Sequence, residues 1–123
     1  MIRTLAIVAI GGGLGSVARY LITLFINKLS TFSLPVSTFV ANITGCLIIG
    51  IIYGLSDRYT GFTTDWKLFL ITGICGGYTT FSTFSYENLQ LLHTQQFGLF
   101  VAYTVGSLVV GLLAVWLGLS LVK

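Results

Sequence analysis

Apolar residues run along this chain in four long blocks separated by short polar links. The blocks are Thr4–Ile26, Val36–Leu55, Trp66–Leu92 and Phe97–Leu121. Each approaches or exceeds the roughly 20 residues that a helix needs to cross a hydrocarbon core. Spans must be helical here, because backbone groups in lipid are satisfied within the segment and the alternating pattern of a membrane barrel is absent. One stretch departs from the apolar background. Gly73–Glu87 holds three glycines, three threonines, two serines and the chain's only glutamate within 15 positions. Gly76-Gly77 followed by Tyr78-Thr79-Thr80 gathers poor helix formers at the middle of the third block, which predicts a helix break there. Irregular backbone at that depth is tolerated only where it is buried or lines a cavity.

Composition narrows the class. The 123 residues are 55% hydrophobic and only 7% charged, against about 25% charged in an ordinary soluble domain. The expected fold is therefore an all-α integral membrane protein, residues 1–123 forming a single domain of four spans. Six Lys/Arg against three Asp/Glu give +3, and no basic cluster is present, which argues against nucleic acid as a partner. Cys46 and Cys75 match no metal or redox spacing and read as small packing residues. Arg3, an apolar run and Val17-Ala18 mimic a signal peptide, but the run continues through Ile26 and the triple glycine interrupts it, so a retained first span is expected. With the N-terminus inside, Arg3, Arg58, Lys67 and Lys123 fall on the cytoplasmic side, against Lys28 and at most Arg19 outside. So weak an asymmetry permits insertion in both directions.

In the first span, Gly11 and Gly15 form a small-residue pair that lets helices approach closely. A dinucleotide-binding reading of Gly11–Ser16 fails, since the third glycine is absent and no βαβ unit surrounds it. Arg19 lies about two-thirds along the span, where a charge either snorkels, pairs, or faces water or an anion. The link Asn27–Pro35 carries Lys28 and the chain's one proline, and Pro35 suits the start of a helix. In the second span, Thr38 and Asn42 are four apart and share a face, with Gly45 beside them. The Asn42 amide has two readings, a hydrogen bond between helices or donors turned toward a conduction path. In the fourth span Tyr103 and Ser107 place hydroxyls on one face.

The central stretch has two kinds of chemistry. Carbonyls freed at a helix break are ready ligands for a cation, and with no carboxylate nearby a monovalent ion fits better than Ca²⁺ or Mg²⁺. Beyond the break, Phe81 and Phe84 are i, i+3 neighbours; Thr80, Thr83 and Glu87 form one adjacent polar stripe and Ser82 with Ser85 another. Hydroxyls donate to anions. The positive edges of phenyl rings meet a small anion without trapping it, which conduction requires. The residues point to an ion pathway, with a small anion as its cargo.

Gly76-Gly77-Tyr78-Thr79-Thr80-Phe81-Ser82-Thr83-Phe84-Ser85 resembles the signature of the CrcB/Fluc family of bacterial fluoride channels. Gly12–Tyr20 resembles that family's first-span motif and Ser37–Gly45 its second, so the likeness covers the whole chain. Ser37 stands where a glycine is expected, and Tyr78 where phenylalanine or leucine is commoner. The resemblance implies an antiparallel, dual-topology homodimer in the bacterial inner membrane, with two fluoride pathways and one central, structural Na⁺ that is not transported. It places the pore phenylalanines at Phe81 and Phe84, the pore asparagine at Asn42, and the polar track at Tyr103 and Ser107. Ser82, Thr83 and Thr38 supply hydroxyls along the fluoride path, Arg19 and Glu87 lie near the vestibules, and the main-chain carbonyls of Gly76 and Thr79 hold the Na⁺.

Two other classes compete. A small multidrug exporter coupled to protons needs a carboxylate in its first span, and this first span has none. A non-transporting assembly or lipid-binding subunit leaves the polar tracks without a purpose. No nucleophile–base pair, ligand cluster or cofactor loop suggests an enzyme.

Overall fold

The computed structural model describes residues 1–29 and 35–123, and the described residues form helices joined by short links. In chain order these are α1 (Ile2–Leu29), α2 (Val36–Arg58), α3 (Thr64–Lys67), a π-helical segment (Leu68–Cys75), α4 (Gly76–Tyr78), α5 (Ser82–His93) and α6 (Phe97–Leu121). The helices α1, α2 and α6 are long and apolar enough to cross a membrane, so the chain is a multi-pass membrane protein. The first two outrun the apolar blocks by a few residues, because a helix continues into polar flanks once its core is formed. Most of the link before α2 lies outside the described residues. Pro35 stands immediately before α2, and its carbonyl accepts the Phe39 N–H at 3.2 Å.

The third block is not one helix. Thr63 caps α3 through its side chain, the chain passes into the wider π-helical turns, and helical geometry stops at Tyr78. Thr79 is extended (φ −90°, ψ 159°), and helix resumes at Ser82. The break thus falls at Thr79–Phe81, at the C-terminal end of the expected stretch Gly76–Thr80, while the two glycines stay helical. The reason is packing. α1 lies directly against the π-helical segment and α4, and a Cβ on Gly77 would strike the Gly12 carbonyl, while one on Gly15 would strike that of Ile74. Gly77 is therefore held in helix by a neighbour that only a glycine admits, and close backbone approach between small residues is the usual means of helix association in membranes. α2 packs most extensively on α6, meeting at Gly50 and Gly118.

Little of the chain is deeply buried. The apolar interior is small, comprising residues such as Ala41, Ile52, Cys75, Tyr78, Leu91, Tyr103 and Ala114, while Leu108, Leu112, Leu113 and Trp116 of α6 face outward. An outward apolar face is the expected partner of lipid tails or of another helix.

Candidate functional site

The break is held by α2. Asn42 Oδ1 accepts the Thr80 N–H at 2.8 Å, and Asn42 Nδ2 donates to the Thr80 carbonyl at 3.1 Å. One side-chain amide thus satisfies both backbone groups of the residue that leaves the helix. This matters because an unpaired backbone group in an apolar interior costs several kcal/mol on the order of magnitude, and the break would otherwise expose two. The pairing also fixes the amide's orientation, since carbonyl must face N–H and NH₂ must face carbonyl. The interhelical reading of Asn42 is therefore realised, and among the described residues one N–H of the amide stays free. The Thr79 N–H and hydroxyl both donate to the Cys75 carbonyl, at 3.0 and 2.8 Å. Thr80 Oγ1 accepts the Thr83 N–H at 3.2 Å, so it caps the first turn of α5.

Two cavities flank this arrangement. One, of about 390 Å³, is lined by Asn42, Cys46, Gly76, Thr79, Phe81, Phe84 and Ser107 among others. The other, of about 480 Å³, is lined by Arg19, Ser37, Thr38, Thr83 and Glu87 with neighbours on α1 and α2. The structure therefore separates the sequence-selected residues into two groups. The stripe Thr80, Thr83, Glu87 is split, Thr80 opening on the first cavity and the other two on the second.

Between the groups runs a chain of contacts. Thr38 Oγ1 donates to Glu87 Oε2 at 2.8 Å, and Tyr103 Oη donates to Glu87 Oε1 at 2.9 Å. Both donors are buried, Thr38 7% and Tyr103 5% exposed. The Tyr103 ring then lies 5.0 Å, centroid to centroid, from Phe84, and Phe84 lies 6.0 Å from Phe81. Phe81 is 78% exposed in this single chain, so its outer face has no cover from its own fold. Ser82 is exposed next to Thr80, 3.4 Å between their hydroxyl oxygens. Tyr103 and Ser107 share a face of α6 yet serve different neighbours, Tyr103 reaching Glu87 and Ser107 the first cavity.

Arg19 lines the second cavity with Glu87 but forms no salt bridge with it, and its buried Nε has no hydrogen-bond partner among the described residues. A buried guanidinium nitrogen without a partner is unusual in a folded protein, and here it belongs to a residue that lines a cavity. Gly76 and Thr79 line the first cavity, and their backbone carbonyls, hard oxygen donors near a helix end, accept no hydrogen bond from outside the helices among the described residues. That donor set fits a small monovalent cation, though one chain supplies too few oxygens to complete a shell.

Besides the two bonds to Glu87, three pairings were not singled out from the sequence. They are the Thr80 backbone on Asn42, the Thr44–Tyr78 hydroxyl pair at 2.7 Å, and Thr104 Oγ1 donating to Asn88 Oδ1 at 3.0 Å, which ties α6 to α5. Helical spacing finds partners within one helix. It carries no signal for a polar side chain that meets backbone 38 residues away.

The sequence is similar to known proteins over nearly its full length. Residues 6–119 match the family model described as CrcB-like protein, Camphor Resistance (CrcB). A protein of Flavobacterium psychrophilum named fluoride-specific ion channel FluC is 50% identical over 121 residues, covering 98% of each chain. The protein of that name from Phocaeicola vulgatus is 46% identical over 95% of this chain and 96% of its own. One from Leptospira interrogans is 40% identical over 98% and 95% respectively. With a family model matched over residues 6–119 and relatives up to 50% identical over 98% of both chains, this chain belongs to the CrcB family.

Proposed function

We propose that this protein is a fluoride-selective channel of the bacterial inner membrane that lets fluoride leave the cytoplasm passively, down its electrochemical gradient. The observation that carries the reading is the 50% identity, over 98% of both chains, to a protein named as a fluoride-specific ion channel. The geometry supplies a mechanism that suits it. Fluoride is small and strongly hydrated, so a path must replace its water with donors while binding it weakly enough to release it. Arg19 and the hydroxyls of the second cavity draw the anion in from one side. The Phe84 and Phe81 edges, the remaining N–H of Asn42 and the hydroxyls of Ser107 and Ser82 line its further course.

A single chain leaves Phe81 uncovered and offers too few carbonyls for a cation. Both point to a second copy, and we place it antiparallel, so that the discontinuous helix acts as the fourth span and the two breaks meet near the bilayer centre. Gly76 and Thr79 carbonyls from the two copies would hold a structural Na⁺, which neutralises the convergent carbonyl dipoles there. Two equivalent anion paths follow from the two-fold symmetry.

The experiment is direct. Liposomes loaded with fluoride or chloride and containing the pure protein should release fluoride, read by an ion-selective electrode, while chloride stays inside. Equal loss of both anions removes selectivity, and no loss of either removes the channel.

A further inference from the structure

Tyr78 is the last helical residue before the break, and it is buried. Its hydroxyl lies 2.7 Å from Thr44 Oγ1 on α2. The Thr44 hydroxyl in turn donates to its own helix, at the Val40 carbonyl, 2.7 Å away. Since that proton is committed to Val40, the Tyr78 hydroxyl is the donor in the pair. Next to Thr44, Gly45 has no side chain, and a Cβ there would collide with the Thr79 methyl and press on the Tyr78 ring. Two residues earlier, Asn42 holds both backbone groups of Thr80. Three positions of α2 therefore seat three consecutive residues: Thr44 holds Tyr78, Gly45 receives Thr79, and Asn42 holds Thr80.

Thr79 itself has no polar contact to α2 among the described residues; its N–H and hydroxyl both donate to the Cys75 carbonyl, which leaves its own carbonyl to be aimed by what holds its neighbours. The direction of its carbonyl depends on the ψ of Thr79, which is confined between an anchor on Tyr78 and an anchor on Thr80. The Thr44–Tyr78 pair closes a span that Asn42 alone leaves free on the helical side.

We propose that Tyr78 and Thr44 are positioning residues for the cation site, setting how tightly the Thr79 carbonyl holds a monovalent ion without touching that ion. This rests on the reading of Gly76 and Thr79 as Na⁺ ligands given above. A phenylalanine at 78 fills the same space and lacks the donor, so removing the hydroxyl alters the aim of the carbonyl without emptying the core. The net value of one such hydrogen bond translates to a change of about fivefold in an equilibrium constant.

The test uses the full-length protein in detergent, with Na⁺ titrated at constant ionic strength and protection against thermal unfolding as the readout, which needs no flux. Tyr78→Phe and Thr44→Val should each raise the Na⁺ concentration for half-maximal protection about fivefold. The double variant should go no further than either single one, because both remove the same bond. Thr44→Ser, which keeps the hydroxyl, should stay at the wild-type value. Fluoride flux at saturating Na⁺ should be retained in all of them. If the wild type is protected by Na⁺ and Tyr78→Phe responds at the same concentration, the positioning role is overturned while the cation site stands. If the wild type shows no Na⁺ protection, both fall, and the liposome experiment still decides the channel separately. An additive double variant also overturns the proposal, since it means that the two hydroxyls act apart.

Discussion

Asn42 illustrates how much one side chain carries. It pairs with both backbone groups of Thr80, lines a cavity, and keeps one N–H without a partner among the described residues. Asn42→Asp removes the NH₂ group, leaves the Thr80 carbonyl without its donor, and brings a negative charge to a proposed anion path. Stability should fall by about 1–3 kcal/mol, the usual consequence of orphaning a buried acceptor. Fluoride flux should fall by at least roughly tenfold, since each 1.4 kcal/mol of added barrier is a factor of ten. Thermal unfolding and electrode-monitored efflux on one preparation separate the two effects. Phe81 gives the contrasting case. It is largely exposed within one chain, so Phe81→Ile should leave the fold of that chain intact and reduce flux, with dimer content by size-exclusion chromatography as the control. An unchanged flux in that variant would remove the ring edge from the path.

At the scale of elements, the discontinuous third helix depends on α1. Gly77 lies against the Gly12 carbonyl, whereas among the described residues nothing stands near Gly13 on its open side. Gly77→Val should therefore destabilise the protein by about 1–3 kcal/mol, the typical cost of overpacking, while Gly13→Ala should be close to neutral in the same thermal assay. The same helix shows what a sequence makes legible and what it hides. The ends of α6 could be read from its apolar block, and those of α1 and α2 to within a few residues, because helix length and hydropathy follow local composition. That the third block is interrupted was also legible, from the crowd of glycine and β-branched residues. Its position was legible only in part, since Thr79 and Thr80 lay within the expected stretch and the glycines did not break. Propensity marks Gly76-Gly77 as weak, but tertiary contact with α1 keeps them helical, and the chain leaves the helix where Asn42 offers partners instead. Likewise, Thr38 and Tyr103 were selected as hydroxyls on a polar face, and only the fold shows that both donate to Glu87. Spacing gives the face; the partner comes from another helix.

At the scale of the molecule, the charges are few. Arg3 pairs with Asp65 at 2.7 Å, and Arg58 donates to the Val122 carbonyl at 3.0 Å, which gathers the N-terminus, the α2–α3 link and the C-terminus at one end. Lys28 marks the end of α1. Orientation is governed by Lys and Arg counts at the span ends rather than by net charge, so the bias toward one orientation is small. Two lysines added after Lys123 should drive the chain into a single orientation, seen as loss of activity from one of a pair of compartment-specific C-terminal reporters. Fluoride tolerance should then be lost, and return when a copy biased the other way is expressed beside it. Tolerance that persists with one orientation would count against antiparallel assembly.

The bond pair between Asn42 and Thr80 has a kinetic meaning as well. A peptide unit inside a helix has its N–H and C=O engaged by other peptide units, and here a side-chain amide imitates such a unit across two helices. The imitation is rigid, because reversing it would set carbonyl against carbonyl and N–H against NH₂. The remaining N–H therefore keeps one heading whether or not an ion is near. On the proposed path, an anion arriving there would meet a dipole that is already turned, and no reorientation of the wall would have to accompany each passage. The reorganisation that solvent would undergo at every step has been completed once, when the chain folded.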